Sequence, residues 1–388
     1  MEYANRIKGI PPYLFAEIDR EIEKKKNQGI DIINLSVGDP DLPTPDHIIK
    51  ALSEAAANPA NHQYPSYAGM PVFRQAIAKW YDDRFNVKLD PADEVMALIG
   101  SKEGIAHIPL AYINPGDVAL VPDPAYPVYK IGTMLAGGTA YSMPLLEEND
   151  YKPRLEDIDK KTASKARIMF LNYPNAPTGA ISGKDFFREV VDYAVDNDLI
   201  VLHDNPYSEM TFDGYRAISF LEIKGAKDVG IEFNSLSKTF NMTGWRIGMA
   251  VGASEIIAGL GKVKENVDSG AFQAVQVAAV KALGGARDCV NKNMRIFEKR
   301  RDYVVDSLNA AGWNIKKPKA TFYLWFNIPE RYDSSISFCS KLLDKTGVVL
   351  TPGVGFGTHG EGYVRCALTQ PVERLREAVR RIEESDIR

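Results

Sequence analysis

Gly230-Ile-Glu-Phe-Asn-Ser-Leu-Ser-Lys-Thr-Phe-Asn-Met-Thr-Gly-Trp-Arg246-Ile-Gly-Met-Ala-Val-Gly252 reads as two apolar strands, 230–234 and 247–252, joined by a polar segment. Lys238 sits inside that segment between hydroxyl residues, with Ser235 and Ser237 before it and Arg246 eight positions after it. A reactive amine needs its pKa lowered by desolvation or by nearby cations. Leu236, Phe240 and Trp245 can supply the first and Arg246 the second. Hydroxyls and a guanidinium beside such an amine also describe a phosphate receptor. An ordinary surface lysine on a turn is the plain alternative.

Working back from this stretch, the same texture repeats. Strand 199–203 runs into Asp204-Asn-Pro-Tyr207, and strand 168–172 into Tyr173-Pro-Asn-Ala-Pro-Thr-Gly179, with a helix over 183–196 between them. Strand 117–122 ends in Pro124-Ala-Tyr-Pro-Val-Tyr129, and strand 95–99 in Gly100-Ser-Lys-Glu-Gly104 ahead of a helix over 105–113. Strands alternating with helices predict an α/β fold, a mostly parallel sheet covered by helices on both faces. Ligands of such sheets gather at the strands' carboxyl ends, where each of these polar segments falls. The turn at Ser101 and Lys102 places backbone N–H groups at a helix start, suited to a phosphate. Tyr126, just past a strand end, is placed to stack on a flat ring.

Outward to the ends, residues 254–308 read as helix with breaks at Ser269-Gly270 and Gly284-Gly285. They lead into a smaller α+β unit with strands 320–328, 348–351 and 363–367 and helices 335–346 and 371–384. At the other end lie an arm, a helix over 16–28, a strand from Ile30 stopped by Gly38 and Pro40, helices 45–58 and 72–85, and the loop Tyr64-Pro-Ser-Tyr-Ala-Gly-Met-Pro between those helices. The expected division is an arm and part of the small domain in 1–45, a large domain in 46–285 and the rest of the small domain in 286–388.

With 388 residues the chain exceeds one ordinary core. The balance of 47 Lys and Arg against 51 Asp and Glu, without a basic stripe, argues against nucleic acid as a partner. No apolar run is long enough to span a bilayer and the first 26 residues lack a signal-peptide core, so a cytoplasmic protein with no membrane partner is expected. Three scattered cysteines do not make a disulfide framework, and the histidines show no metal-ligand spacing, so no metal is expected.

These motifs, in this order from Asn34 to Arg365, resemble the class I and II pyridoxal-phosphate aminotransferases (fold type I). The resemblance implies pyridoxal 5'-phosphate as cofactor, with Lys238 as the lysine that binds it covalently and then serves as the catalytic base. Asp204 would pair with the ring nitrogen and Tyr207 would reach the ring oxygen. The phosphate would be held at Ser101, Lys102, Ser235, Ser237 and Arg246, and by Tyr64 from the second chain of a homodimer with shared sites. Arg365 would take the substrate carboxylate, helped by the backbone of Gly38, and Tyr126 would stack on the cofactor. One position departs: the family's asparagine before Pro-Thr-Gly is Ala176 here, leaving Asn175 to reach the ring oxygen if the backbone adjusts.

The arm Gly9-Ile-Pro-Pro-Tyr-Leu-Phe-Ala-Glu-Ile-Asp19, the lysine motif and Asn266-Val-Asp-Ser-Gly270 look like those of LL-diaminopimelate aminotransferases, above all the archaeal-type branch. That resemblance implies exchange of an amino group between LL-2,6-diaminopimelate, in equilibrium with tetrahydrodipicolinate, and 2-oxoglutarate in lysine synthesis. Lys102 would then face the distal carboxylate, with Tyr13 and Tyr126 framing the chain between. The same machinery would serve an aspartate or alanine aminotransferase of broader specificity or a C–S lyase, and outside enzymes a cofactor-binding regulator.

Overall fold

The computed structural model describes residues 2–11 and 14–388. In chain order its strands are β1 (Ile33–Asn34), β2 (Val95–Leu98), β3 (Val118–Asp123), β4 (Thr139–Pro144), β5 (Ala166–Leu171), β6 (Ile200–Asp204), β7 (Gly230–Ser235), β8 (Gly248–Gly252), β9 (Tyr323–Asn327), β10 (Val348–Val349), β11 (Thr351–Pro352) and β12 (Tyr363–Ala367). β2 to β8 form a seven-stranded sheet in the order β2-β8-β7-β6-β5-β3-β4. The pairs from β7 to β4 are parallel, while β8 runs antiparallel between β2 and β7.

That reversal follows from the lysine motif, which is too short to be a crossover and turns the chain back on itself. Gly248 therefore pairs with Ser235, and Arg246 stays at the same edge of the sheet as the ends of the parallel strands. β3, β5 and β7 are buried along most or all of their length, as expected for a sheet covered on both faces. Helix Lys184–Asn197 shows how it is covered: Phe186, Phe187, Val190, Val191 and Ala194 recur at helical spacing and pack into the core beside β5 and β6. Each phenylalanine or valine so removed from water contributes roughly 1.5–3 kcal/mol.

A second core surrounds the three-stranded antiparallel sheet β11-β12-β9. The segment between helices Leu14–Asn27 and Asp46–Ala56 belongs to it. β1 pairs in parallel with β10, Leu35 N–H donates to Val349, and Ala367 N–H donates to Leu35. From there the chain crosses to the lysine motif, and Thr44 Oγ1 donates to the carbonyl of Asn241 at 2.7 Å. Arg300 grips Asp41 with both Nη groups, at 2.6 and 2.8 Å, and so ties the crossing to the long helix Asp288–Ala310.

Several boundaries differ from the sequence reading. The edge strand β4 was not expected, because its side chains are mostly exposed and carry no apolar run. The single strand expected over 348–351 is split between two sheets, β10 with β1 and β11 with β12. The helix expected from Ile105 begins at Ser101, so the glycine-hydroxyl-lysine segment is its first turn. Among the described residues no helix is long and apolar enough to cross a membrane.

Candidate active site

The sheet edge where β5, β6 and β7 end and β8 begins faces the three-stranded sheet across a cavity of about 750 Å³. Gly38, Ser101, Lys102, Tyr126, Asp204, Tyr207, Ser235, Ser237, Lys238, Arg246 and Arg365 all line it. Residues separated by more than 300 positions are thus brought together by the topology. A second cleft, about 570 Å³ and lined by Arg84, Glu209 and Arg287, holds none of the residues singled out from the sequence.

Lys238 projects from the one-turn helix Leu236–Thr239, which Ser235 caps by accepting the N–H of Ser237 at 3.2 Å. Its Nζ donates to the carbonyl of Gly38 at 2.6 Å. Burial pulls its pKa down to about 8; Asp39 opposes the shift, whereas Arg365 and Arg246 add to it. Only the unprotonated amine attacks a carbonyl, so addition of an aldehyde to Lys238 is expected to quicken with rising pH, half-maximally near 8. Stopped-flow absorbance would show this, and an inflection at the ordinary lysine value of 10.5 would contradict the burial argument.

One end of the cavity is built for an anion. Helix Ser101–Tyr112 starts after Gly100, whose φ of 93° and ψ of 150° suit glycine alone. A Cβ at Gly100 would also lie 2.2 Å from Nη2 of Arg246. Arg246 has a left-handed backbone with φ 53° and donates to the carbonyls of Thr243 at 2.8 Å and Ile99 at 3.3 Å. A guanidinium is thereby laid beside the positive end of a helix dipole.

The opposite end presents Asp204. Its Oδ2 accepts the hydroxyl of Tyr129 at 2.7 Å, and its buried Oδ1 has no hydrogen-bond partner among the described residues. Burial raises its pKa to about 6, opposed by the Tyr129 hydrogen bond. A cation at Oδ1 would satisfy the orphaned oxygen and hold the carboxylate ionised. Tyr207 is buried, and burial pushes its phenol well above the usual range, so it is kept as a donor. Arg365 is buried too, donating to the carbonyl of Ser36 at 2.7 Å, with its guanidinium 4.3 Å from the ring centre of Tyr323 and 4.5 Å from that of Phe356.

Two predicted residues lie elsewhere, and a third is not among the described residues. Asn175 must be corrected: its side chain is locked into the turn, with Nδ2 donating to Asn172 and Oδ1 accepting from the N–H and hydroxyl of Thr178. It does not line the cavity, whereas Ala176 does. Tyr64 is 87 % exposed and stands outside this chain's cavity. Tyr13 lies outside the described residues. Tyr129, Asn172 and Tyr323 were missed. The sequence does signal Tyr129, which repeats the aromatic of Tyr126 one turn later, but Tyr323 is an ordinary strand aromatic until the fold sets it beside Tyr207. His203, next to Asp204, points to the other face of the sheet and pairs at 2.8 Å with the fully buried Glu232.

Comparison with known proteins adds a separate line of evidence. Residues 30–382 match the family model for aminotransferase class I and II. LL-diaminopimelate aminotransferase of Halothermothrix orenii is 53 % identical over 388 residues, 100 % of both chains. That of Syntrophobacter fumaroxidans is 56 % identical over 379 residues, 98 % of this chain and 97 % of its own. Among solved structures, substrate-bound BacF from Bacillus subtilis superposes with a TM-score of 0.96 at 40 % identity, covering 99 % of this chain and 98 % of its own.

Proposed function

Because the chain belongs to the class I and II aminotransferases, which depend on pyridoxal phosphate, we propose that it transfers an amino group between LL-2,6-diaminopimelate and 2-oxoglutarate, a step of lysine synthesis. The observation that carries the substrate is the end-to-end similarity, above half identity, to relatives named for that reaction. The cavity is consistent with it, because Lys102 lines it with its ammonium 5.8 Å from the centre of the Tyr126 ring, exposed and placed to meet a second carboxylate beyond the one taken by Arg365.

The residues fit pyridoxal phosphate. The orphaned Oδ1 of Asp204 would pair with a protonated ring nitrogen, and the helix start at Ser101 with Ser237 and Arg246 would hold the phosphate. Bound there, the cofactor supplies an electron sink that makes the substrate's α-hydrogen acidic. Lys238 then removes and returns that proton, its amine poised by burial near neutral pH. Arg365 holds the α-carboxylate in a planar fork already oriented by Ser36. Tyr207 would donate its hydroxyl proton to the ring oxygen.

A homodimer with shared sites belongs to the same reading. Tyr64, Tyr67, Val267 and Phe272 are exposed, and Gln273 Nε2 donating to the carbonyl of Gln63 at 3.1 Å links the two segments that carry them. Such a patch fits a second copy of the chain, with Tyr64 reaching into that copy's phosphate site. Tyr64→Ala is expected to weaken cofactor binding about 10–150-fold, from the roughly 1.5–3 kcal/mol of a charge-assisted hydrogen bond. Fluorescence titration of the apo-protein measures this. A chain that sediments as a monomer with full activity would remove the role given to Tyr64.

Comparing LL-diaminopimelate, aspartate and alanine as donors, with glutamate formation followed, tests the substrate. Turnover confined to LL-diaminopimelate supports the proposal. Turnover with aspartate or alanine instead keeps the catalytic machinery and discards the substrate.

A further inference from the structure

On the wall beneath Asp204, every polar group from Asn172 to Thr178 that approaches the cavity is already engaged. Asn172 Nδ2 donates to the carbonyl of Asp204 at 2.6 Å, and its Oδ1 accepts the N–H of Ala176 at 2.7 Å. Asn175 is held within the turn, and Ala176, which does line the cavity, has no donor to offer. A ring oxygen of a ligand lying over Asp204 is left with Tyr207 as its side-chain donor on this wall.

Tyr207 is not isolated. Its hydroxyl lies 3.2 Å from that of Tyr323, which is buried and also lines the cavity. The geometry alone allows either oxygen to donate. The single proton of each phenol decides the direction once Tyr207 serves the ring oxygen. Among the described residues Tyr323 has no other hydroxyl partner, and its oxygen is pressed against Gly38, where a Cβ would come within 1.7 Å. Above its ring stands the Arg365 guanidinium, 4.3 Å from the centroid. If Tyr207 spends its one proton on the ring oxygen, the bond between the two hydroxyls must be donated by Tyr323.

We infer that Tyr323 is a positioning residue: its hydroxyl donates to the oxygen of Tyr207, turns Tyr207's own proton into the cavity and strengthens the one hydrogen bond that Ala176 leaves to be made. Hydrogen bonds in a chain polarise one another, so the second phenol acts through the first without touching the ligand. This rests on the reading of Tyr207 as donor to the cofactor's ring oxygen.

The test reads the bound cofactor rather than turnover. A donor on the ring oxygen draws away charge that otherwise holds a proton on the nitrogen shared by Lys238 and the cofactor, so losing it lets that nitrogen keep its proton to higher pH. In holoenzyme, the midpoint of the pH-dependent absorption change is expected to rise by about one unit, tenfold in proton affinity, in Tyr323→Phe. Tyr207→Phe should raise it at least as far. Adding Ala176→Asn to Tyr323→Phe should reverse most of the rise. A purely structural role would lower the thermal midpoint without moving the titration. A shift in Tyr207→Phe alone overturns the inference and leaves the role of Tyr207 standing, whereas no shift in either variant overturns both. Should Tyr323→Phe fail to fold, 3-fluorotyrosine at position 323 keeps the ring and makes its hydroxyl the stronger donor: a midpoint that falls supports the inference, and one that stays within about 0.3 unit of the native value overturns it.

Discussion

Lys238→Ala is expected to lower turnover by about 10⁴-fold or more, the combined effect of losing the amine that holds the cofactor and the base that moves the α-proton. The size of the effect follows from the lack of a substitute. Lys102, the other lysine on the cavity wall, is exposed and sits over the Tyr126 ring at 5.8 Å, whereas burial draws Lys238 down to about 8. The variant should fold, since among the described residues Lys238 Nζ has one hydrogen bond, to Gly38, and its removal leaves the cap at Ser235 intact. Purified variant mixed with cofactor and LL-diaminopimelate measures this directly, and transamination at the native rate would end the assignment of Lys238.

Asp204→Asn comes second in size. The amide keeps the volume and can still accept the Tyr129 hydroxyl, but it cannot hold a positive ring nitrogen. Removing one partner of a buried pair costs roughly 3–5 kcal/mol, about two to four orders of magnitude in a rate that depends on the pair. Cofactor content after dialysis, measured beside turnover, separates a lost electron sink from simple failure to bind. Unchanged turnover at full cofactor content would contradict the pairing of Asp204 with the ring.

How far the letters carried the reading depends on whether a residue works through its neighbours in sequence or through neighbours in space. Lys238, Asp204 and Arg246 were legible because each lies beside a strand end with a characteristic polar or glycine-rich segment. β4 was illegible because an exposed edge strand has no apolar pattern to betray it. Asn175 misled for a local reason. Its side chain bonds Thr178 and closes the turn, a role that asparagine performs often and that cannot be told from ligand binding in the sequence. Tyr323 belongs to a strand expected over 320–328 and found over Tyr323–Asn327, and its closeness to Tyr207 appears only when β9 is set against the loop after β6.

The pairing of β1 with β10, and the bonds from Leu35 to Val349 and Ala367, have a consequence for the chain as it is made. On the ribosome, the seven-stranded sheet has all its strands once Gly252 has emerged. The segment from Ile33 to Gly38 then waits, its backbone partners still unsynthesised, until residue 367 follows. An early strand without its mate is the kind of edge on which nascent chains pair wrongly. Termination anywhere between 253 and 346 would therefore leave a chain with its lysine in place and neither Arg365 nor the partners of that early strand, a product fit for degradation rather than catalysis.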